Sequence, residues 1–306
     1  MKLINLGKSG LQVPAVAVGC MRLTSLDEKG AEAFVHEAME LGVNFFDHAD
    51  IYGGGQCEML FGNVLKNDPG LRESMIIQSK CGIVPGKMYD FSKDYILKSV
   101  DGILKRLDTD YLDVLVLHRP DALMEPEEVA EAFDTLEAAG KVRHFGVSNH
   151  SPLQIQLLKK YVQQEIVVDQ LQFGLAHAGM VSVGMEVNMT TDGAVVRDGG
   201  ALDFCRLNDI TIQTWSPFQY GMFEGVFIGS PKYLKLNEVL EELAEKYETD
   251  VTAIASAWIL RHPAHMQLIS GSMNKDRLAV ICHGADIALE REEWYRLYLA
   301  AGHILP

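Results

Sequence analysis

The stretch Asn44-Phe45-Phe46-Asp47-His48-Ala49-Asp50-Ile51-Tyr52-Gly53 decides how this chain is read. An apolar run, Val43, Phe45 and Phe46, ends on a carboxylate, and five residues later a tyrosine stands before three glycines. That layout fixes an acid at a strand end and lets a phenol fold back over it from a short loop. A phenol, with a free pKa of about 10, is a poor acid at neutral pH unless a cation stands beside it. The rest of the chain must supply that cation, and the other strand ends are the places to look.

Working outward, apolar runs recur around 15–18, 43–46, 75–78, 112–117, 144–147, 167–171, 210–214 and 266–269. Several are continuous Val/Ile/Leu/Phe runs with little alternation, the pattern of strands buried on both faces. Amphipathic helices lie between them. Phe34, Val35, Ala38 and Leu41 make a stripe that stops at Gly42, and Ser92 can cap a helix carrying Ile96, Val100, Ile103, Leu104 and Leu107. Pro126 opens a helix that ends at Gly140, and Ser151-Pro152 is an N-cap followed by a first-turn proline. Alternation of this kind predicts one (β/α)8 TIM barrel occupying residues 1–306 as a single domain. Residues 232–247 and 250–261 read as two helices between strands seven and eight, and 290–301 as an extra C-terminal helix. The segment 174–200 is too long for an ordinary connection, which predicts a flap over the barrel mouth. A doubly wound dinucleotide fold is disfavoured, because Gly53-Gly54-Gly55-Gln56-Cys57-Glu58 puts Glu58 where G-x-G-x-x-G requires its third glycine.

Composition narrows the function classes. No apolar run reaches the roughly 20 residues of a membrane span. The opening residues, Met1-Lys2-Leu3-Ile4-Asn5-Leu6-Gly7, lack the apolar stretch and cleavage site of a secretory signal. Cys20, Cys57, Cys81, Cys205 and Cys282 are scattered and odd in number, which points to a reducing, cytoplasmic setting without disulfides or a zinc site. A net charge of −15 argues against nucleic acid, so any bound phosphate must be held by local groups.

In such a barrel, chemistry gathers where the strands end. Those ends carry Gly19, Asp47, Lys80, His118, Ser148 with Asn149, Gln170, Trp215, and Ser270-Gly271-Ser272. A lysine closing a buried strand is costly unless paired, and Asp47 is the natural partner for Lys80. An ammonium about 4 Å from Tyr52, at an effective dielectric of about 20, contributes about 4 kcal/mol. Less desolvation, that predicts a phenol acidified towards cellular pH. His118, in Leu117-His118-Arg119-Pro120-Asp121, is the leading histidine; His48 and His150 rank second, and most of the rest read as surface groups. Trp215 offers a flat ring for stacking, and Ser148, Asn149 and Gln170 offer an amide's complement of donors and acceptors. The turn after strand eight, with Arg277 beyond it, suits a phosphate, although a plain Ser/Asn helix cap explains its spacing equally well.

Over nearly its whole length the chain resembles the aldo-keto reductase superfamily, in its general bacterial oxidoreductase branch. The resemblance rests on Leu6-Gly7-Lys8-Ser9-Gly10-Leu11-Gln12-Val13-Pro14, Asp47-His48-Ala49-Asp50-Ile51-Tyr52-Gly53 and Ser79-Lys80. It continues in Leu117-His118-Arg119-Pro120-Asp121, in Gly140-Lys141-Val142-Arg143-His144-Phe145-Gly146-Val147-Ser148-Asn149, and in Gly271-Ser272 with Arg277. It implies a catalytic set of Asp47, Tyr52, Lys80 and His118, with Tyr52 as the general acid in reduction of an aldehyde or ketone. Lys80, oriented by Asp47, would lower the Tyr52 pKa, and His118 would position the carbonyl. The implied cofactor is NADPH rather than NADH. Ser148, Asn149 and Gln170 would hold its carboxamide, and Trp215 would stack on its ring. Gly19, Met21, Arg22 and Asp47 would contribute around it, as would Ser216, Pro217, Phe218, Gln219 and Gly221 after strand seven. Gly271, Ser272, Asn274 and Arg277 would take the adenosine phosphate. A small hairpin within residues 3–13 would close the barrel bottom.

Three departures stand out. Gly271 replaces a lysine common in relatives, which leaves a 2′-phosphate to Arg277, Ser272 and Asn274; Ile281 replaces an asparagine near the adenine; Trp215 replaces a tyrosine. The implied partner is a small carbonyl compound, with no nucleic acid or membrane, and the oligomeric state stays open. Two other readings stay open too: a Schiff-base aldolase barrel with Lys80 as nucleophile, and a non-catalytic nicotinamide-binding regulatory subunit.

Overall fold

The eight expected strands form, and they close on one another. A computed structural model describes residues 1–305. Its barrel strands, numbered in chain order, are β1 (Val16–Gly19), β2 (Phe45–Asp47), β3 (Ile76–Cys81) and β4 (Leu112–Leu117), then β5 (Val142–Ser148), β6 (Ile166–Gln172), β7 (Thr211–Trp215) and β8 (Gln267–Ser270). Each pairs in parallel with its sequence neighbour, and β8 returns to β1 to make a closed barrel. The strands are buried on both faces, β4 entirely so, which is why they read as continuous apolar runs rather than alternating ones.

The helices begin and end where the local chemistry requires. Asp27 caps α1 (Glu28–Glu40) by accepting from Gly30, and the helix stops before Gly42, whose φ is 78°. The helix α2 (Gln56–Asn67) follows β2, and Ser92 caps α3 (Lys93–Leu107). Pro126 starts α4 (Pro126–Ala138), and a capping box of Ser151 and Gln154 starts α5 (Pro152–Lys159). After β6 comes α6 (Ala201–Leu207); α7 (Leu234–Lys246) and α8 (Val251–Leu260) lie between β7 and β8. The chain ends with α9 (Lys275–His283) and α10 (Arg291–Ala300). At the bottom, Leu3–Asn5 pairs with Gln12–Pro14 in an antiparallel hairpin that buries Ile4, Leu6 and Val13 against the barrel. The Gly7 N–H donates to Thr211 Oγ1 at 2.8 Å, which ties this plug to β7. No described helix is long and apolar enough to cross a membrane, and all five cysteines are free and buried.

The segment 174–200 corrects one expectation. None of its residues lines the cavity at the C-terminal ends of the strands. It holds a short helix, Gly179–Met185, and a single turn, Asp192–Ala194. Leu175, Ala178 and Val181 are buried. The segment is anchored to the C-terminal region by the Ser182–Tyr298 hydroxyl pair at 2.7 Å and by His303 against the Leu175 carbonyl, also at 2.7 Å. Its length is used to build packing surface for the added helices.

The turn after β3, which carries Lys80, tolerates no side chain. Gly82 has φ 108°, and a Cβ there would lie 2.2 Å from the Phe91 ring. Gly82→Ala is expected to destabilise the fold by about 1–3 kcal/mol through overpacking and backbone strain. Urea unfolding checks this through a lower midpoint.

Candidate active site

A cavity of about 680 Å³ opens at the C-terminal ends of the strands. The shape of the chain after β2 brings the tyrosine to it. Gly53, Gly54 and Gly55 all adopt left-handed backbone (φ 58°, 62° and 88°), a conformation that costs an L side chain strain. The tight turn they make holds Tyr52 above Asp47.

Lys80 reaches the same spot from β3. Its Nζ donates to Asp47 Oδ2 at 2.7 Å, to the His48 carbonyl at 2.8 Å and to Tyr52 Oη at 3.1 Å. An ammonium has three N–H groups, and all three are used. Because Tyr52 Oη accepts from Lys80, its own hydrogen is left to donate elsewhere, on the side where the cavity lies. Burial opposes the Lys80 charge, yet Asp47 and Tyr52 outweigh it and its pKa is raised. Tyr52 departs from the sequence expectation. Burial pushes its pKa above the ordinary value, and Lys80 only pulls it part of the way back. The desolvation allowed for in the sequence argument is the larger effect, because Tyr52 sits against the buried strand ends rather than in open solvent.

His118 lies beside this group, its ring centroid 6.0 Å from that of Tyr52 and nearly perpendicular to it. Burial, then Lys80 and Arg119, push its pKa well below the usual histidine value, so the imidazole is neutral at pH 7. The second-rank histidines belong to the core. His48 is fully buried with a pKa of about 3, lowered by burial and then by Lys80. His150 has its Nδ1 2.9 Å from the Ser148 carbonyl and stacks on Phe91, and burial lowers its pKa to about 4. Neither lines the cavity.

Beyond the tyrosine the wall is a run of amides and an indole. Asn149 Nδ2 donates to Ser148 Oγ at 2.7 Å, and Trp215 Nε1 donates to Asn149 Oδ1 at 3.2 Å. Gln170 lends both its N–H groups inward, to Asp47 Oδ1 at 3.2 Å and to Gln213 Oε1 at 3.1 Å. Its Oε1 is therefore the group left for a ligand. At the far end, Arg22 Nη1 donates to the Gly271 carbonyl at 3.2 Å, with Ser272 and Arg277 nearby on the same wall.

The structure brings nearly all of the sequence-derived residues to one cavity. Gly19, Met21, Arg22, Asp47, Tyr52 and His118 line it, as do Ser148, Asn149, Gln170, Trp215, Ser216, Pro217, Phe218, Gln219, Gly271, Ser272 and Arg277. Three do not. Lys80 lies beneath the wall and acts on Tyr52 from behind. Asn274 caps α9, its Oδ1 accepting from the Arg277 N–H at 2.9 Å, which is the plain cap reading. Gly221 is not part of the lining, and its carbonyl accepts from Gln172 Nε2 at 2.9 Å.

The residues that sequence reasoning missed include Ile51, Ile83, Thr252 and Arg119. Only Arg119 carried a signal, as a cation next to His118 in a motif already noted; it sits 5.8 Å over the Trp215 ring. Among the described residues, no salt bridge ties up Arg22, Arg119 or Arg277. Part of the outer wall comes from a two-stranded ribbon after β7 (Gln219–Tyr220 with Gly225–Val226), which places Phe223 6.5 Å from Trp215. This ribbon takes the place at the mouth expected of 174–200.

Comparison with known proteins agrees with this architecture. The family model described as "Aldo/keto reductase family" matches residues 15–298. The oxidoreductase YcsN of Bacillus subtilis, itself uncharacterised, is 35% identical over 310 residues that span 97% of each chain. Oxidoreductase YdhF of Escherichia coli is 33% identical over 99% of both chains. A 6-dehydroglucose reductase of Novosphingobium aromaticivorans is 33% identical over 99% of this chain and 96% of its own. The crystal structure of a thermostable aldo-keto reductase, Tm1743, in complex with the inhibitor epalrestat superposes with a TM-score of 0.78. That protein is 26% identical, and the match covers 98% of this chain and 100% of the other.

Removing the cation tests the electrostatic arrangement. Lys80→Met leaves Asp47, 2% exposed, without its counter-charge and is expected to cost about 3–5 kcal/mol of stability. The double variant Asp47→Asn/Lys80→Met, which removes both charges and keeps an Oδ1 acceptor for Gln78 and Gln170, is expected to regain part of that. Thermal unfolding of both variants decides it; equal losses in the two would rule out a buried ion pair.

Proposed function

Because this chain belongs to the aldo/keto reductase family, we propose that it is an NADPH-dependent reductase of aldehydes and ketones, with Tyr52 as general acid. The observation that carries this reading is the single Tyr52 Oη, bonded to Lys80 at 3.1 Å on one side and facing a cavity on the other. The residues present fit a nicotinamide dinucleotide. Arg22 and Arg277, neither of them in a salt bridge among the described residues, stand at one end, an indole lies between, and Gln170 Oε1 accepts no hydrogen bond from any described residue. Bound there, NADPH supplies the hydride that the reduction consumes.

The chain's own residues do the rest. His118, kept neutral, donates its ring N–H to the carbonyl oxygen and orients that oxygen towards Tyr52 Oη. Tyr52 passes its proton to that oxygen as negative charge develops. Lys80 then stabilises the phenolate left behind, and Asp47 holds Lys80 in place. A raised phenol pKa suits this order of events, since the donor is fully protonated at neutral pH and the ammonium acts when the charge appears. Trp215, Phe223 and Ile51 exclude water from the reacting carbonyl. The Schiff-base alternative fares worse, because all three N–H groups of Lys80 are engaged and a neutral, nucleophilic amine is disfavoured by its raised pKa.

Tyr52→Phe is expected to lower turnover by roughly 10²–10⁴-fold and leave NADPH affinity unchanged, as read by steady-state kinetics and fluorescence titration. Normal turnover in that variant would remove Tyr52 as the acid. The pH dependence follows from the raised Tyr52 pKa. Between pH 7 and pH 9 the phenol stays protonated, so carbonyl reduction is expected to be flat. Alcohol oxidation, which needs the phenolate, should rise about tenfold per pH unit. Arg277→Leu is expected to weaken NADPH by about 10–100-fold and NADH by much less, measured by titration of each.

A further inference from the structure

The barrel interior beneath the cavity is polar where packed branched side chains are the usual filling. Gln78, Gln170, Gln213 and Gln267 share one level of the barrel: Gln170 is in register with Gln213, Gln213 with Gln267, and Gln78 with Asp47. Gln78, Gln213 and Gln267 are completely buried and do not reach the cavity.

Their hydrogen bonds have a direction. Gln267 Nε2 donates to the Pro14 carbonyl at 2.8 Å, under the N-terminal hairpin. A carbonyl only accepts, so the amide nitrogen must face it and Gln267 Oε1 must face inward. That oxygen accepts from Gln213 Nε2 at 2.8 Å. The Gln213 nitrogen also donates to Gln78 Oε1 at 3.1 Å, and Gln213 Oε1 accepts in return from Gln78 Nε2 at 2.8 Å and from Gln170 Nε2 at 3.1 Å. The remaining N–H of Gln78 and of Gln170 then points at Asp47 Oδ1, at 2.6 Å and 3.2 Å. One carbonyl at the barrel base thus sets the orientation of four amides, and the chain of donors ends on the carboxylate. With Oδ1 saturated by two amides, Oδ2 is the oxygen left for Lys80, and the ammonium is held under Tyr52.

We infer that Gln213 and Gln267 are positioning residues: this polarised glutamine ladder fixes which oxygen of Asp47 meets Lys80 and so aims the ammonium at Tyr52. The inference rests on the proposed role of Tyr52 and deepens it. Neither glutamine touches a ligand. Their loss should therefore misplace the acid without disturbing cofactor binding, and a misplacement on the order of 1 Å can cost about 10²-fold in rate.

The test uses the full chain with NADPH and any aldehyde it turns over. Gln213→Leu removes the central rung, and Gln267→Leu breaks the ladder one step further from the cavity. Both are expected to lower kcat, by about 10–100-fold for Gln213→Leu and about 3–10-fold for Gln267→Leu, with the NADPH Kd within twofold of wild type. Proton transfer should become slower relative to hydride transfer, so the solvent deuterium isotope effect on kcat should rise in both. Gln213→Glu, similar in shape but without either N–H, should behave like Gln213→Leu.

Wild-type kcat and isotope effect in folded variants would overturn the ladder, as would a kcat loss that only tracks a lower Tm with the isotope effect unmoved. If Gln213→Leu does not fold, Gln267→Leu decides the question by the same readouts. Tyr52→Phe run alongside separates the two ideas. Retained turnover there sinks the acid assignment itself, whereas a dead Tyr52→Phe with unaffected glutamine variants sinks only the ladder.

Discussion

A single ammonium group, fully buried and shared between a carboxylate and a phenol, is the constraint around which this protein is arranged. Lys80 is 0% exposed, and a charge in that position without partners would be expelled or neutralised. The fold supplies three acceptors from two segments: Asp47 and the His48 carbonyl at the end of β2, and Tyr52 from the glycine turn beyond it. The geometry that stabilises the charge is also the geometry that orients the phenol. In the mechanism proposed above, stability and chemistry therefore draw on the same three contacts, and His118 is held neutral partly by the same positive charge.

Supporting that ion pair requires an unusual interior. Four glutamines at one level would be costly in a barrel core if any amide were left unpaired. Here each donor of Gln78, Gln170 and Gln213 finds an acceptor, and the chain of bonds terminates at a backbone carbonyl on one side and a carboxylate on the other. The N-terminal hairpin is thereby more than a plug. By fixing the Pro14 carbonyl under β8, it anchors the polar layer on which Asp47 rests.

The mouth of the barrel follows a different logic. Its wall is built from short connections and from the ribbon after β7, with Phe223 and Val226 turned to the cavity although largely exposed. The long segment before α6 packs instead against the C-terminal helices, where Tyr298 stacks against Trp294 and His303. Length and loop-like composition identify a segment that must do something, but they do not say which surface it covers.

The amino-acid sequence by itself determined the strands, their helices and the residues at the strand ends, because each of those is written in local pattern. Continuous apolar runs mark strands buried on both faces, caps and glycines mark helix limits, and a polar residue closing such a run marks the rim. That was enough to name Asp47, Tyr52, Lys80 and His118, and the resemblance covered most of the cavity wall. What only the tertiary structure decided depends on distance between residues far apart in the chain. It left Asn274, Gly221 and the segment 174–200 out of the cavity lining, and placed His48 and His150 in the core. It also raised the Tyr52 pKa, since burial, unlike sequence spacing, is set by everything packed around the ring. The alignment of Gln78, Gln170, Gln213 and Gln267 is the clearest case: each looks unremarkable in its own strand, and only closure of the barrel sets them side by side.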